Sequence, residues 1–230
     1  MTDLSECSPL DTVVLDLDGT LVDSVYAHVW TWHEAFRDVG LDVPTWRIHR
    51  AIGMGKDRLV AAVSSEAVEA SVGDDVRQRQ AERYEPLSHH LSATPGASDL
   101  LAALKAHGLK VALASSGSRD SVVESIVMLG ADEWIDGWIC GEDSVASKPD
   151  PDPVLRAVQA VHGRCAFVVG DATWDMESAC ESGRPSVGLL TGGVGEAELR
   201  AAGAVLVYPD PTALLTSLDH ALESLGGVID

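Results

Sequence analysis

Short apolar runs recur along the chain and predict the strands of a sheet. Five runs are rich in β-branched residues and nearly free of polar ones, which is typical of strands covered on both faces. They span residues 12–17, 110–115, 165–170, 185–189 and 204–207. From Ala93 to the C-terminus these runs alternate with segments of helical periodicity. Such alternation predicts a parallel sheet in an α/β fold, with helices on both faces.

Capping and stop residues place three helices between these strands. A polar residue before an apolar helical pattern marks a helix start, and a glycine marks its end. The predicted starts lie at Thr94, Ser118 and Asp152, and the predicted ends at Gly108, Gly130 and Gly163.

The connection between the first two strands is far longer than a parallel crossover requires. About a dozen residues suffice for such a crossover, yet this connection runs from Thr20 to Lys110. Helical patterns occupy residues 24–39, 45–51, 56–64 and 74–87. We therefore expect a helical subdomain, called the cap below, over residues 23–91, inserted into a core of residues 1–22 and 92–230. The alternative is an elaborate crossover lying on the sheet, but so many residues need a core of their own.

The charge of the chain excludes several classes of partner. Its 230 residues include 36 Asp and Glu against 16 Lys and Arg, which gives a formal net charge of -20. Nucleic acids and anionic membrane surfaces need clustered basic residues, so neither is an expected partner. A small anionic substrate held by a cation and a few placed donors remains compatible with this charge. Most of the acidic residues are expected on a solvated surface.

The termini and cysteines favour a cytoplasmic protein. The first ten residues, MTDLSECSPL, have neither the basic start nor the apolar segment of a secretory signal. No apolar run reaches the roughly 18 residues of a membrane span. The four cysteines lack metal-ligand spacing, and we expect them to be reduced thiols. Nothing in the sequence indicates an oligomeric state.

Two carboxylates, Asp16 and Asp18, end the first predicted strand and are followed by Gly19. Ligands bind at the carboxyl ends of parallel strands, so this position favours a functional site. A single Asp there is often only a turn former or a helix cap. The run from Asp16 to Ser24, DLDGTLVDS, resembles the first motif of the haloacid dehalogenase-like hydrolases.

Three further motifs of that family follow in order, each at or just beyond a predicted strand end. Ser115, with Ser116 and Gly117 after it, resembles the second motif; Lys148, in the run SKPDP, resembles the third. The run GDATWD at residues 170–175 resembles the fourth, an acidic pair after a strand. Alone, Ser115 and Lys148 would be weak signals. Together, the four motifs extend the resemblance over nearly the whole chain, and the cap matches the family's insertion between the first and second motifs.

The resemblance implies a Rossmann-like core and a mechanism for phosphate monoesters. Asp16 would be the nucleophile that forms an aspartyl-phosphate. Asp18 would protonate the leaving group and later act as the base for water. Because these roles need different protonation states, we expect a raised pKa for Asp18, whereas a metal-bound Asp16 stays ionised because the cation favours the charged form.

The resemblance also implies a magnesium site and a phosphate cradle. Mg²⁺ would be held by the Asp16 carboxylate, the Asp18 backbone carbonyl and Asp171. Asp175 would be either a further ligand or an acceptor that fixes a metal-bound water. The phosphoryl oxygens would be held by Lys148, Ser115 and backbone N–H groups near Leu17 and Ser116.

Departures from the motifs separate the reactions of the family. Dehalogenases lack the second Asp and phosphonate hydrolases replace it with a small residue, so Asp18 points to phosphoryl transfer. The β-phosphoglucomutase type shares all four motifs and uses a cap His and a cap Lys. His28 matches that His, as it does in many phosphatases, but residues 74–92 contain no Lys. A phosphatase is therefore favoured over a mutase.

Residues 52–58 form a glycine-flanked loop before a helix and resemble the specificity loop of the family, so the resemblance implies that this cap loop selects the substrate. Gly53 and Gly55 would allow close approach to a ligand, and Lys56 and Arg58 could meet a second anionic group. The alternative is that both cations face solvent at a helix start.

We therefore predict a magnesium-dependent hydrolase of a small phosphate monoester, such as a phosphorylated sugar, alcohol or glycolate-like acid. The first alternative is a phosphomutase. The second is a phosphate-binding module without catalysis, although binding alone would not require both Asp16 and Asp18.

Overall fold

A six-stranded parallel sheet forms the centre of the computed structural model, which describes residues 9–229. The strands are β1 (Thr12–Leu15), β2 (Lys110–Ala114), β3 (Gly137–Ile139), β4 (Ala166–Gly170), β5 (Ser186–Leu189) and β6 (Ala204–Tyr208). Their order across the sheet is β3-β2-β1-β4-β5-β6. β1 therefore lies between β2 and β4 and pairs with both.

Helices fill the connections between the strands. Five precede β2: α1 (Val25–Asp38), α2 (Thr45–His49), α3 (Lys56–Val63), α4 (Glu66–Ser88) and α5 (Ala97–Ala106). The others are α6 (Arg119–Leu129), α7 (Asp152–Ala160), α8 (Thr173–Glu181), α9 (Glu196–Ala201), α10 (Pro211–Thr216) and α11 (Leu218–Ile229).

The side chains of the central strands alternate between two apolar layers. Val13 and Leu15 of β1 face the cluster that includes residues of α5, α6, α10 and α11. Val14, between them, faces the cluster that includes residues of α7 and α8. Because successive strand residues point to opposite faces, both faces are covered, and the predicted α/β class with a Rossmann-like sheet is confirmed.

The four helices between β1 and α5 have an apolar cluster of their own. Trp32 and Phe36 of α1 are buried with Ile48 of α2, Leu59 of α3 and Val76 of α4. This cluster shares no residue with those on the two faces of the sheet. We propose on this basis that residues 23–91 form the cap and that residues 1–22 and 92–230 form the core.

Several element boundaries differ from the sequence-based expectations. β3 was not predicted because it has only three residues, all half-buried, at the edge of the sheet. α4 begins eight residues before its predicted start, since the Ser65 side chain caps it by accepting a hydrogen bond from the Val68 N–H. α5 begins after Gly96, whose φ of 81° ends the turn that follows Thr94.

The expectation of four reduced cysteines is wrong at one position. Cys165 is disulfide-bonded, whereas Cys140 and Cys180 are free. Cys7 lies outside the described residues. Spacing along the sequence gave no sign of a disulfide because it carries no information on which thiols the fold brings together. Within the described residues, every helix is too short or too polar to cross a bilayer.

Replacing Phe36 with Ala tests the independent core of the cap. Phe36 is fully buried, so we expect the free energy of unfolding to fall by about 3–5 kcal/mol. Trp30→Ala, in the same helix at a position that is 57% exposed, is the control and should change it by less than about 1 kcal/mol. Urea denaturation measures both, and equal losses would contradict the burial of Phe36 in the apolar cluster of the cap.

Candidate active site

The candidate site lies where the order of the strands reverses, which is the usual ligand position in an open α/β sheet. From β1 the chain goes to β2 on one side, and β4 pairs on the other. The ends of these three strands therefore bring together Asp16, Ser115 and Asp171, each directly after its strand. Lys148 enters from the loop between β3 and α7.

Three carboxylates and one ammonium group form the centre of the site. Oxygens of Asp16, Asp171 and Asp175 all lie within 4.8 Å of one another. The Lys148 Nζ atom lies 2.5 Å from Asp16 Oδ1 and 2.7 Å from Asp175 Oδ1. None of the four residues is more than 4% exposed. Water therefore contributes little to stabilising their charges.

Neighbouring groups fix two of these carboxylates. The Thr20 hydroxyl donates to Asp171 Oδ1 at 2.8 Å. The Ala172 N–H donates to Asp175 Oδ2 at 3.1 Å, at the start of α8. Gly19 has φ of 89°, and a Cβ atom there would collide with the Asp171 carboxylate. Only glycine suits this turn, both in conformation and in space.

Asp18 is held by residues of the cap. Its Oδ1 atom accepts a hydrogen bond from the Ser24 hydroxyl at 2.6 Å and lies 3.1 Å from His28 Nε2. The His28 ring stacks on Tyr84, with ring centroids 4.1 Å apart. Gln80 Nε2 lies 3.5 Å from His28 Nδ1 on the other side of the ring. The second Asp of the motif is therefore oriented by α1 and α4.

The two aspartates of the first motif have opposite pKa shifts. Burial raises the pKa of Asp16 to about 7, although Lys148 opposes this; the nearby Asp175 and Asp18 add to the rise. Burial likewise acts to raise the pKa of Asp18, but the charge and hydrogen bond of His28 and the hydrogen bond from Ser24 outweigh it. The pKa of Asp18 falls to about 2.

The low pKa of Asp18 is the opposite of the expected rise, whereas the expectation for Asp16 concerned its metal-bound form. The reason is local: Asp16 lies in a cluster of like charges, whereas Asp18 faces donors. Burial, together with Asp16 and Asp175, also raises the pKa of Asp171. For Lys148, Asp16 and Asp175 outweigh burial and raise the pKa. Its ammonium group is therefore the fixed positive charge of the cluster.

The acidic cluster fits a divalent cation. When all three carboxylates are ionised, Lys148 balances only one of them, so two negative charges stay uncompensated in a buried site. Carboxylate oxygens are the ligands that Mg²⁺ prefers, and a cation favours the ionised carboxylates that burial disfavours. The Asp18 side chain lies outside this group, as expected if only its backbone carbonyl is a ligand.

Unpaired backbone donors surround the cluster. The N–H groups of Leu17, Asp18 and Ser116 have no acceptor among residues 9–229. The buried Ser115 hydroxyl accepts a hydrogen bond from the Gly117 N–H at 3.0 Å, so its own proton is available to a ligand. Since unsatisfied N–H groups are rare in folded proteins, these donors are suited to an anion beside Asp16.

The cap residues expected to bind substrate have separate positions. Lys56 lines a cavity of about 370 Å³ together with Ser115, Ser116, Gly117 and Lys148. Burial lowers the pKa of Lys56, while Asp18 and Glu142 oppose that shift. His28 and Gly53 line a smaller cavity of about 30 Å³ with Asp18 and Lys56.

Arg58 has a different position from the other cap residues. It forms an ion pair with Asp150 of the core and is absent from the residues that line either cavity. The structure thus places Lys56 in the cavity lining and Arg58 outside it, although the two residues are neighbours in the same loop.

Several residues of the site escaped the sequence analysis. Thr20 and Ser24 belong to the first motif, and their places within it were the available signal. Gln80 and Tyr84 carried none, because α4 is polar along most of its length. Glu142 lies in a loop far along the sequence from the cap, and only the fold brings it near Lys56.

Comparisons with known proteins agree with this geometry. A family model described as haloacid dehalogenase-like hydrolase matches residues 10–183, more than half of the chain. A plasmid phosphoglycolate phosphatase of Cupriavidus necator is 30% identical over 186 residues, 77% of this chain and 79% of that protein. The N-acetylmuramic acid 6-phosphate phosphatase of Pseudomonas aeruginosa is 26% identical over 218 residues, 93% of this chain and 96% of that protein.

A solved structure shows the same similarity in three dimensions. A hydrolase from Pseudomonas syringae is 38% identical in sequence and has a TM-score of 0.86. The match covers 91% of this chain and 98% of that one.

Gly19→Ala tests the close packing under Asp171. Gly40→Ala is a matched control, since Gly40 also has a positive φ, of 79°, but no atom within 4 Å of the added Cβ. We expect Gly40→Ala to cost about 1–2 kcal/mol through its backbone alone. Gly19→Ala should cost about 1–3 kcal/mol more because the Asp171 carboxylate must move. Equal losses in chemical denaturation would contradict this packing.

Proposed function

The chain belongs to the haloacid dehalogenase-like hydrolases, as its four motifs predict, and we propose that it is a Mg²⁺-dependent phosphatase of small phosphate monoesters. The observation that carries this proposal is the buried cluster of Asp16, Asp171, Asp175 and Lys148. A carboxylate nucleophile, cation ligands and a fixed ammonium group meet there within reach of one phosphoryl group. The substrate is a small phosphorylated metabolite.

Asp16 is the nucleophile in this proposal. One of its carboxylate oxygens attacks the phosphorus atom, the bond to the leaving oxygen breaks, and an aspartyl-phosphate forms. Lys148 and the Ser115 hydroxyl donate to the phosphoryl oxygens, together with the unpaired N–H groups of Leu17 and Ser116. These donors match the charge that develops on the transferring group.

The cation would be held by Asp16, the Asp18 carbonyl and Asp171. Mg²⁺ bound there would offset the repulsion between the Asp16 carboxylate and the phosphoryl oxygens. Asp175 already accepts from the Ala172 N–H through one oxygen. Its other oxygen faces Lys148, which favours the role of an acceptor that orients neighbours over that of a direct ligand.

Asp18 moves the protons. It gives a proton to the leaving oxygen in the first step and takes one from the water that attacks the aspartyl-phosphate in the second. Its low pKa suits the second step, in which the ionised form is needed. The first step needs the protonated form, and a bound phosphate dianion would favour uptake of a proton from solvent by Asp18, because a nearby like charge disfavours ionisation. His28 and Ser24 keep the carboxylate in place throughout.

The contact to His28 from α4 favours a phosphatase over a phosphomutase. The mutase type uses a cap Lys in addition to the cap His. In this chain the side chains that contact His28 from α4 are Gln80 and Tyr84, and neither carries a positive charge. Helix α4 therefore supplies no positive charge beside His28, and the stretch that the mutase comparison concerns, residues 74–92, contains no Lys.

The sequence-based prediction of a cytoplasmic location remains a prediction. The disulfide at Cys165 is unusual for that compartment, where thiols are kept reduced. Counting the free thiols in protein extracted under alkylating conditions distinguishes a reducing compartment from an oxidising one.

Asp16→Asn tests the nucleophile. We expect the variant to lose turnover of p-nitrophenyl phosphate in Mg²⁺ by at least about a thousandfold, since an amide oxygen is a poor nucleophile. Asp132→Asn makes the same change at an exposed position and should retain activity. If the unmodified protein binds phosphate but turns over no ester, the phosphate-binding module is the correct alternative.

Incubation with a hexose 1-phosphate distinguishes a phosphatase from a phosphomutase. We expect ³¹P NMR to show inorganic phosphate as the product of any hexose 1-phosphate that is consumed. Accumulation of the hexose 6-phosphate with little free phosphate would establish the mutase instead.

A further inference from the structure

We propose that the leaving-group pocket selects phosphate monoesters whose leaving group is uncharged and rich in hydroxyl groups, in preference to phosphorylated carboxylic acids. This inference rests on the proposed phosphatase function and narrows its substrate class. It depends on the size, the charge and the hydrogen-bonding groups of the cavity between cap and core.

The cavity is larger than a two-carbon acid requires. It has a volume of about 370 Å³, and its lining includes Ser115 and Lys148 of the proposed phosphate site together with Glu142 and Pro153. At about 30 Å³ for each water, it corresponds to roughly a dozen waters. A leaving group with several carbons, each bearing a hydroxyl group, fills such a space far better.

Negative charge prevails on the wall beyond the phosphate. The charged side chains lining the cavity are Lys56, Asp57, Glu142 and Lys148. Lys148 is already paired with Asp16 and Asp175, which leaves one ammonium group against two carboxylates. Lys56 also faces Asp18. A carboxylate on the substrate would therefore meet more like than opposite charge.

Among residues 9–229, no arginine side chain lines the cavity to balance these carboxylates. The Arg58 guanidinium pairs with Asp150 and does not line the cavity. Arg119 lies 3.9 Å from Glu142, but it pairs more closely with Asp143, at 2.5 Å, and also lies outside the lining. Recognition of a substrate carboxylate by a bidentate guanidinium is thus unavailable here.

The polar groups of the wall suit substrate hydroxyls. Ser116 and Ser144 line the cavity, and in the described part of the chain no hydrogen bond uses their hydroxyl groups. Asp57 accepts from Ser147 at 3.1 Å and retains further acceptor capacity. A hydroxyl group both donates and accepts, so a polyol can bond to serines and carboxylates alike, whereas a carboxylate can only accept.

Two pairs of open-chain substrates that differ only by a CH2OH group in place of a carboxylate test the inference. Glycerol 3-phosphate is compared with 3-phosphoglycerate, and glucitol 6-phosphate with 6-phosphogluconate, by release of phosphate. We expect kcat/KM to favour the member with the uncharged leaving group in each pair by at least about tenfold, which corresponds to 1.4 kcal/mol. Equal values, or a preference for the acids, would overturn the inference.

Two charge-removing variants identify the cause of the preference. Glu142→Gln and Asp57→Asn should each narrow the preference by about two- to fivefold, as expected for one unit charge a few ångströms away near the surface. Glu133→Gln removes the same charge at an exposed position outside the cavity and should leave the ratio unchanged. An unchanged ratio in both cavity variants would overturn the assigned cause.

A failure of the phosphatase function itself gives a different result. In that case neither the four esters nor p-nitrophenyl phosphate are turned over by the unmodified protein in Mg²⁺, and the inference falls with the function. Turnover of the aryl ester together with a preference for the acids refutes only the substrate class.

Discussion

The rest of the site depends on an imbalance of buried charge. The fold places three carboxylates and one ammonium group at the reversal point of the sheet, where water cannot stabilise them. Burial accordingly raises the pKa values of Asp16 and Asp171. The native arrangement is therefore costly unless a cation joins it. Such a cost is typical of sites that bind charge, because the same imbalance that strains the free protein favours the ligand.

The cap completes this site from the opposite side. Asp18 belongs to the core motif, yet its orientation comes from Ser24 and His28, and His28 is held by Tyr84 and Gln80 of α4. The nucleophile Asp16 is therefore positioned by the core, whereas the proton carrier Asp18 is oriented by the cap. Any movement of the cap changes the surroundings of Asp18 while leaving the charge cluster of the core intact. This division lets one fold separate phosphoryl transfer from the choice of leaving group.

The sequence predicted the core of this arrangement and little of the cap. Asp16, Ser115 and Asp171 were placed together because each follows a recognisable apolar strand, and the family motifs supplied Lys148. The direction of the pKa shift of Asp18 was mispredicted, since it depends on contacts with Ser24 and His28 that the sequence pattern did not reveal. Arg58 and Lys56 were indistinguishable by spacing, but an ion pair with Asp150 removes Arg58 from the pocket. Gln80 and Glu142 had no local signature at all.

The most direct test of the account is the effect of Mg²⁺ on the melting temperature of metal-stripped protein. Mg²⁺ at about a hundredfold excess over its Kd should stabilise the protein by about 2.7 kcal/mol, a rise of several degrees. Asp171→Asn should abolish this rise, whereas Asp132→Asn, at an exposed site, should retain it. An Asp171→Asn variant that responds to Mg²⁺ as the unmodified protein does would contradict the central claim that this buried cluster is the cation site.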